Sequence, residues 1–294
     1  MIRLFLAFLL SINMGCCTPT KLKVVATFSI LGDMIKSVGQ DLVDVQVIVP
    51  ENADPHIYQP TPKDVALLAK ADLVIVNGLD FEGWFKKLID NSGYKGKIII
   101  AGKNISPRIL PGPDASVNDP HAWHCVKNGI SYVRVISEAL RQALPQQRSK
   151  LIENESLYIK KLQDLDTWVR KQFDVIKKEE RLVVTTHDAF WYYGESYGIT
   201  FLSPVGVSTD AEPSALAVAN LINEIRTKNI RAVFIESLSS RKLIEEIAKE
   251  AQCNVDGVLY ADSLSSPNDK TSPAQTYIDM IRHNTLEIIK GLKS

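Results

Sequence analysis

The 294-residue chain has little cysteine, no surplus of either charge, and no apolar run long enough to cross a bilayer. Each shortage closes off a class of protein. Four cysteines, at positions 16, 17, 125 and 253, are too few for a disulfide-held scaffold and lack zinc-ribbon spacing. The 34 basic side chains balance 34 acidic ones, so the net charge is zero, which argues against nucleic acid as a partner. No stretch reaches the roughly 20 apolar residues that a membrane-spanning helix needs. His-Glu-x-x-His, Gly-x-Ser-x-Gly and Walker sequences are also missing, and with them the usual signatures of zinc peptidases, serine hydrolases and nucleotide hydrolases.

What remains is an ordinary globular composition, 45% hydrophobic and 23% charged, long enough for one large domain or two medium ones. Residues 1–17 read separately, as a signal peptide: Arg3, an apolar run Leu4 to Ile12, then Met14-Gly15-Cys16-Cys17. A small residue before cysteine suits lipoprotein cleavage ahead of Cys16. Ordinary secretory cleavage is the alternative, since Asn13 is unfavourable three positions upstream. Either places the mature protein outside the cytoplasm.

Further on, strand-like and helix-like segments alternate. Lys21–Ser29, Val43–Pro50, Leu73–Asn77 and Lys97–Ala101 read as strands, with helices over Leu31–Val38, Asp64–Ala71 and Phe81–Asn91. Ser106–Pro120 is a loop rich in Pro, Gly, Asp and Ser. A second set follows: strands at Leu182–Thr186, Thr200–Val205, Ala232–Glu236 and Val255–Ala261, and helices over Pro213–Lys228, Ser240–Ala251 and Ala274–Leu292, the last opening on Ser272-Pro273. Strands separated by helices imply parallel sheets. Between the two sets, Gln146 through Tyr193 contains neither Gly nor Pro, and Leu151, Tyr158, Leu162, Leu165, Val169 and Ile176 form one apolar stripe. A helix over Gln146–Lys178 would run roughly 50 Å. A coiled-coil dimer is one reading of it; a rigid spine between two α/β halves suits its position better. The expected fold is therefore α/β with two lobes, each a mainly parallel four-stranded sheet flanked by helices. They span residues 18–145 and 181–294 and are joined by one long rigid backbone helix at 146–180.

Three of the five histidines stand in unusual settings: His56 in Asp54-Pro55-His56, His121 in Asp119-Pro120-His121-Ala122-Trp123, and His187 in Thr186-His187-Asp188. His56 and His187 directly follow strands, where open α/β sheets bind ligands. Singly, each reads as a loop histidine bonded to backbone; three together, two sharing the same triplet, point to a metal. Asp262, after a late strand, is the candidate fourth ligand and is otherwise a turn cap. Three imidazoles and a carboxylate suit zinc, and admit manganese or ferrous iron if the carboxylate is bidentate or water adds.

With these motifs the chain resembles the solute-binding proteins of bacterial zinc and manganese ABC importers, the TroA-like or helical-backbone metal receptors. The likeness rests on Asp54-Pro55-His56, Asn77-Gly78-Leu79 with Glu82-Gly83-Trp84-Phe85, Asp119-Pro120-His121-Ala122-Trp123, His187-Asp188-Ala189-Phe190, Glu212-Pro213-Ser214 and Asp262-Ser263, in that order. It implies His56, His121, His187 and Asp262 as metal ligands and two lobes joined by one helix. It also implies a monomeric receptor without catalysis, periplasmic or otherwise extracytoplasmic, free or lipid-anchored, which passes one Zn2+, Mn2+ or Fe2+ ion to an ABC permease and its ATPase. Membrane contact would be through a lipid anchor or the permease. Two departures leave the metal open. Ser106–Asn118 lacks the histidines common in zinc-specific members, and His187 stands where many manganese-specific members have Glu. A zinc hydrolase and a surface adhesin are the rival classes. Of the remaining candidates, Glu236 is a strand-end carboxylate able to support a ligand, His124 a surface residue or a ligand's neighbour, and His283 solvent-facing. Glu212-Pro213-Ser214 reads as a helix start. Trp84, Trp123 and Phe190-Trp191-Tyr192-Tyr193 read as packing, and Cys125 and Cys253 as thiols in different lobes.

Overall fold

The computed structural model describes residues 20–110, 116–269 and 271–294; the leader at 1–17 and residues 111–115 of the Pro/Gly-rich loop lie outside them. The first sheet is built from β1 (Leu22–Phe28), β2 (Val43–Val49), β3 (Leu73–Val76) and β4 (Lys97–Ile100), all parallel, in the order β2-β1-β3-β4. Helices α1 (Ser29–Gly39), α2 (Pro62–Leu68) and α3 (Phe85–Ser92) make the crossovers. A two-stranded antiparallel ribbon, β5 (Ile109–Leu110) with β6 (Val117–Asn118), closes the loop that follows. It leads into α4 (Val126–Ala143) and α5 (Arg148–Phe173). The second sheet holds β7 (Leu182–Val184), β8 (Thr200–Leu202), β9 (Ala232–Glu236) and β10 (Gly257–Leu259) in the order β10-β9-β7-β8, again parallel. Its helices are α6 (Trp191–Tyr197), α7 (Ala215–Lys228), α8 (Arg241–Ala251) and α9 (Tyr277–Leu292). Two four-stranded parallel sheets joined through one long helix are the architecture that the alternation implied.

The long helix α5 covers 26 residues, about 39 Å at 1.5 Å per residue. Its predicted stripe is buried, from Leu151 through Val169, with Ile176 continuing it beyond the helix. The helix is shorter than the expected Gln146–Lys178 because Arg181 terminates it. The buried guanidinium donates to the carbonyls of Phe173 (2.6 Å) and Ile176 (2.8 and 3.0 Å), satisfying groups that a continuing helix would have bonded itself. Helix α9 likewise starts later than expected. Thr276, not Ser272, is its cap: the Thr276 hydroxyl accepts from the Asp279 amide at 3.1 Å. Ser214 does cap α7, accepting from the Ala217 amide. Helix α4 went unread in the sequence. Its interior Gly129 lies where any Cβ would come within 2.5 Å of the Tyr277 hydroxyl, so α4 and α9 meet at glycine contact.

One apolar core runs through both lobes, from Val24, Phe28 and Ile75 past Leu162 and Leu165 of α5 to Phe234, Leu259 and Met280. A smaller cluster, including Val184, Leu221 and Ile244, fills the far side of the second sheet.

Candidate metal centre

Each candidate residue is aimed by its own local turn. After β2, the Asp54 carboxylate accepts from the His56 amide (2.9 Å), and the Trp84 indole donates to the Pro55 carbonyl (2.8 Å). Asp119 repeats this turn in the second triplet, accepting from the His121 amide at 3.0 Å, and takes the His121 Nδ1 as well, at 2.9 Å. The shared Asp-Pro-His sequence is thus one turn used twice. After β7, the His187 amide donates to Glu236 at the end of β9 (2.9 Å), and the His187 Nδ1 meets the other oxygen of the same carboxylate. With Nδ1 engaged on His121 and His187, Nε2 is the nitrogen presented to the centre.

Beneath the histidines, the segment Asn77-Gly78-Leu79 to Glu82 folds back on itself. The half-buried Glu82 accepts through its carboxylate from Thr27 (2.6 Å) and from the Asn77 and Gly78 amides (2.6 and 3.1 Å), while the Asn77 side chain donates to the Pro120 carbonyl (3.0 Å). This places Phe81 edge-on against His56, ring centroids 4.8 Å apart.

All four candidates come together. Their donor atoms lie within 4.8 Å of one another. The His121 Nε2 is 3.2 Å from that of His56 and 3.3 Å from that of His187. Asp262 approaches His56 and His187 with one oxygen (3.6 and 3.3 Å) and His121 with the other (3.4 Å). A tetrahedral ion with ligands at about 2.0–2.1 Å needs donors roughly 3.3–3.4 Å apart, so the cluster has the dimensions of a four-coordinate metal site. Asp262 can also offer both oxygens, which would suit ions that prefer more ligands.

Burial dominates the electrostatics, and the neighbours decide its outcome. Burial pushes His56 down to about 3, with the partial opposition of Asp262. Burial also works against the cationic form of His187, but Glu236 and Asp262 outweigh it and hold the imidazole well above its ordinary range. His121 is raised against burial by Asp262 and Asp119. Burial would raise Asp262, yet His187 and His121 hold it well below the carboxylate range. A cavity of about 500 Å3, lined in part by Asp54, His187, Thr209 and Glu212, reaches the cluster from solvent.

The other expectations divide. Glu236 supports His187 directly. His124 is not at the surface but buried next to a ligand residue, its amide donating to the His121 carbonyl at 3.2 Å. The short 3-10 helix Ala122–His124 turns it into the core against Phe190, centroids 4.5 Å apart, and neither ring nitrogen has a partner among the described residues. Burial accordingly pushes it down to about 3. His283 is half-buried rather than solvent-facing, bonded to the Val258 carbonyl at 2.8 Å. Trp123 is fully buried, its indole donating across the lobes to the Ala261 carbonyl at 3.0 Å. Cys125 and Cys253 are free thiols, the first buried and the second half-buried. Unread in the sequence were the support of His121 by Asp119, which the repeated triplet signals, and Arg108, which nothing local signals.

The family described as zinc-uptake complex component A, periplasmic, matches residues 24–291. A manganese-binding lipoprotein of Halalkalibacterium halodurans is 31% identical over 273 residues, 92% of this chain and 88% of that one. An iron-binding protein of Yersinia pestis is 34% identical over 277 residues, 93% and 87% of the two chains. Among solved structures, TroA superposes with a TM-score of 0.86 at 32% identity, covering 93% of this chain and all of TroA. A manganese-bound periplasmic metal-binding protein from Candidatus Liberibacter asiaticus superposes with a TM-score of 0.83 at 31% identity, covering 92% of this chain and 100% of the other.

Proposed function

From the premise that this chain belongs to the zinc-uptake component A family of metal-importer binding proteins, we propose that His56, His121, His187 and Asp262 hold a single divalent transition-metal ion between the lobes. The protein is the substrate-binding component of a metal ABC importer and not an enzyme, and it works outside the cytoplasm, periplasmic or held by a lipid anchor. The metal is cargo. One observation carries the ligand assignment: four donors from four separate segments, two in each lobe, converge within 4.8 Å. His121 and His187 are oriented by Asp119 and Glu236, and such support makes imidazoles better metal ligands.

Because each lobe supplies two donors, an ion completes its ligand set only when the lobes are together. A small displacement of one pair of donors from the other would release it to a permease served by an ATPase, with the receptor acting as a monomer. Zinc would use one oxygen of Asp262; manganese or ferrous iron could use both. A titration of the mature protein with each of the three ions in competition, for wild type and for His56→Ala, His121→Ala, His187→Ala and Asp262→Ala, tests the assignment and ranks the metals. Losing an outer partner costs 10–100-fold in affinity, so each ligand variant should lose at least about 100-fold, with one ion per chain in the wild type. Unchanged affinity in any two variants would refute the site.

A further inference from the structure

Arg108 follows Ser106-Pro107 in the loop ahead of β5, and sequence reading gave it no role. Its Nη1 lies 3.3 Å from the Asp119 carboxylate and 2.9 Å from that of Asp188. Its guanidinium carbon stands 5.1 Å from the centre of the Trp191 ring. Its backbone amide donates to the Tyr192 hydroxyl (2.9 Å), which donates in turn to the Asp119 carbonyl (3.1 Å). The two carboxylates belong to different lobes and stand beside two buried histidines of the cluster, His121 and His187. Asp119 takes the Nδ1 of His121, and Asp188 directly follows His187.

We propose that Arg108 is a positioning residue that fastens the His121 segment to the His187 segment across the lobe boundary, so that breaking its pair with Asp188 limits the rate of metal release. The inference rests on the ligand assignment above. Both side chains of the pair keep about a fifth or more of their surface in water, 20% for Arg108 and 24% for Asp188. Such a pair adds little to folding. It can act on separation of the lobes nonetheless, because one guanidinium nitrogen meets a carboxylate from each lobe, with the Trp191 ring beside the group. Both carboxylates meet the same Nη1, so lysine could supply the charge but not the planar guanidinium set against Trp191.

The test is stopped-flow dissociation of the preloaded metal into excess chelator, for wild type, Arg108→Gln, Asp188→Asn, the double variant and Arg108→Lys, with metal stoichiometry and the metal-free melting temperature measured alongside. Each single variant should release metal about tenfold faster, the double variant no faster than the quicker single one, and Arg108→Lys at an intermediate rate. Stoichiometry should stay at one ion, and melting should move little. Wild-type release rates in both single variants, or single effects that multiply in the double variant, would overturn the role of Arg108. The ligand assignment would survive that result, since it fails only if the alanine variants of the donors keep their affinity. Asp188→Asn, which leaves Arg108 and its bond to Asp119 in place, keeps the proposal falsifiable if Arg108→Gln misfolds.

Discussion

His56 and His121 bring their Nε2 atoms within 3.2 Å of each other, and His121 and His187 within 3.3 Å, so protons stay in the cluster only where carboxylates offset the repulsion. The protein resolves the conflict by unequal partnering. His121 and His187 each have a carboxylate on Nδ1 in addition to Asp262, while among the described residues His56 has Asp262 as its one carboxylate within 4 Å. In the metal-free protein His121 and His187 therefore hold their protons to higher pH than an ordinary imidazole, and His56, pushed down to about 3, does not. A metal must displace the protons that the free site holds, so affinity rises with pH wherever those groups are still protonated. Both are raised above the ordinary imidazole range near 6.5, so affinity should keep climbing above about pH 6.5, with up to two protons released per ion. Calorimetric titrations in buffers of different ionisation enthalpy count those protons. An affinity that levels off at pH 6.5 would show that His121 and His187 are neutral before the metal arrives. At this scale the donors were legible because each sits in a recognisable turn or strand end. Glu236 could be placed only as a strand-end carboxylate and Arg108 not at all, because their partners lie 49 and 80 residues away and only the packed lobes bring them together.

Helices show how a contact between elements carries a pH dependence of its own. Asp33, on α1, accepts from the amide of Tyr277, the first residue of α9, at 2.9 Å. It thus satisfies an unpaired amide at the helix start, where the dipole also favours an anion. Burial nevertheless pushes Asp33 up to about 6, against the Tyr277 amide and Lys36; Asp279 adds to the rise and Tyr158 opposes it. Because the folded state binds this proton more tightly than the unfolded chain does, Asp33 favours folding most at low pH, and that contribution fades as pH rises from about 4 to about 6. A rise from 3.8 to about 6 corresponds to about 3 kcal/mol. Asp33→Asn keeps an acceptor and removes the buried charge. It should melt no lower than wild type at pH 7 and lose part of the wild-type gain on acidification. Thermal unfolding of the metal-free protein at pH 4 and pH 7 checks this; an Asn variant with the full wild-type difference between the two pH values would exclude Asp33 as the source. The same junction shows why some elements escaped the sequence. Strands and the α5 stripe announce themselves by local periodicity. Helix α4 carries an interior glycine and a β-branched stretch that read against a helix, and the reason for Gly129 is Tyr277, 148 residues later.

Across the whole molecule, the lobes are held as one body by more than their linker. Helix α5 packs against α1 and α4 of the first lobe and α6 and α9 of the second. The apolar core passes through it without interruption. Direct bonds also cross the boundary: the Leu264 amide to the Ser29 hydroxyl (2.9 Å), the Trp123 indole to the Ala261 carbonyl (3.0 Å), and the Thr209 hydroxyl to the Asp54 carboxylate (2.7 Å). A large hinge rotation would expose that core, and α5 has no Gly or Pro at which to kink. The Thr209–Asp54 bond differs from the others, because it lies at the solvent-reaching cavity and ties the His56 turn to the opposite lobe. Loading and release should therefore proceed by a small lobe rotation, with the largest rearrangement in the turns carrying His56, His121 and Asp262, since loops open at the least cost. Solution scattering with and without metal should give nearly the same radius of gyration. Hydrogen exchange should slow on metal addition around residues 52–58, 119–124 and 260–265, while the centre of α5, near Leu162, stays equally protected in both states. A marked contraction on metal addition, or loss of protection at Leu162 in the metal-free protein, would mean that the spine bends and that release is a hinge motion after all.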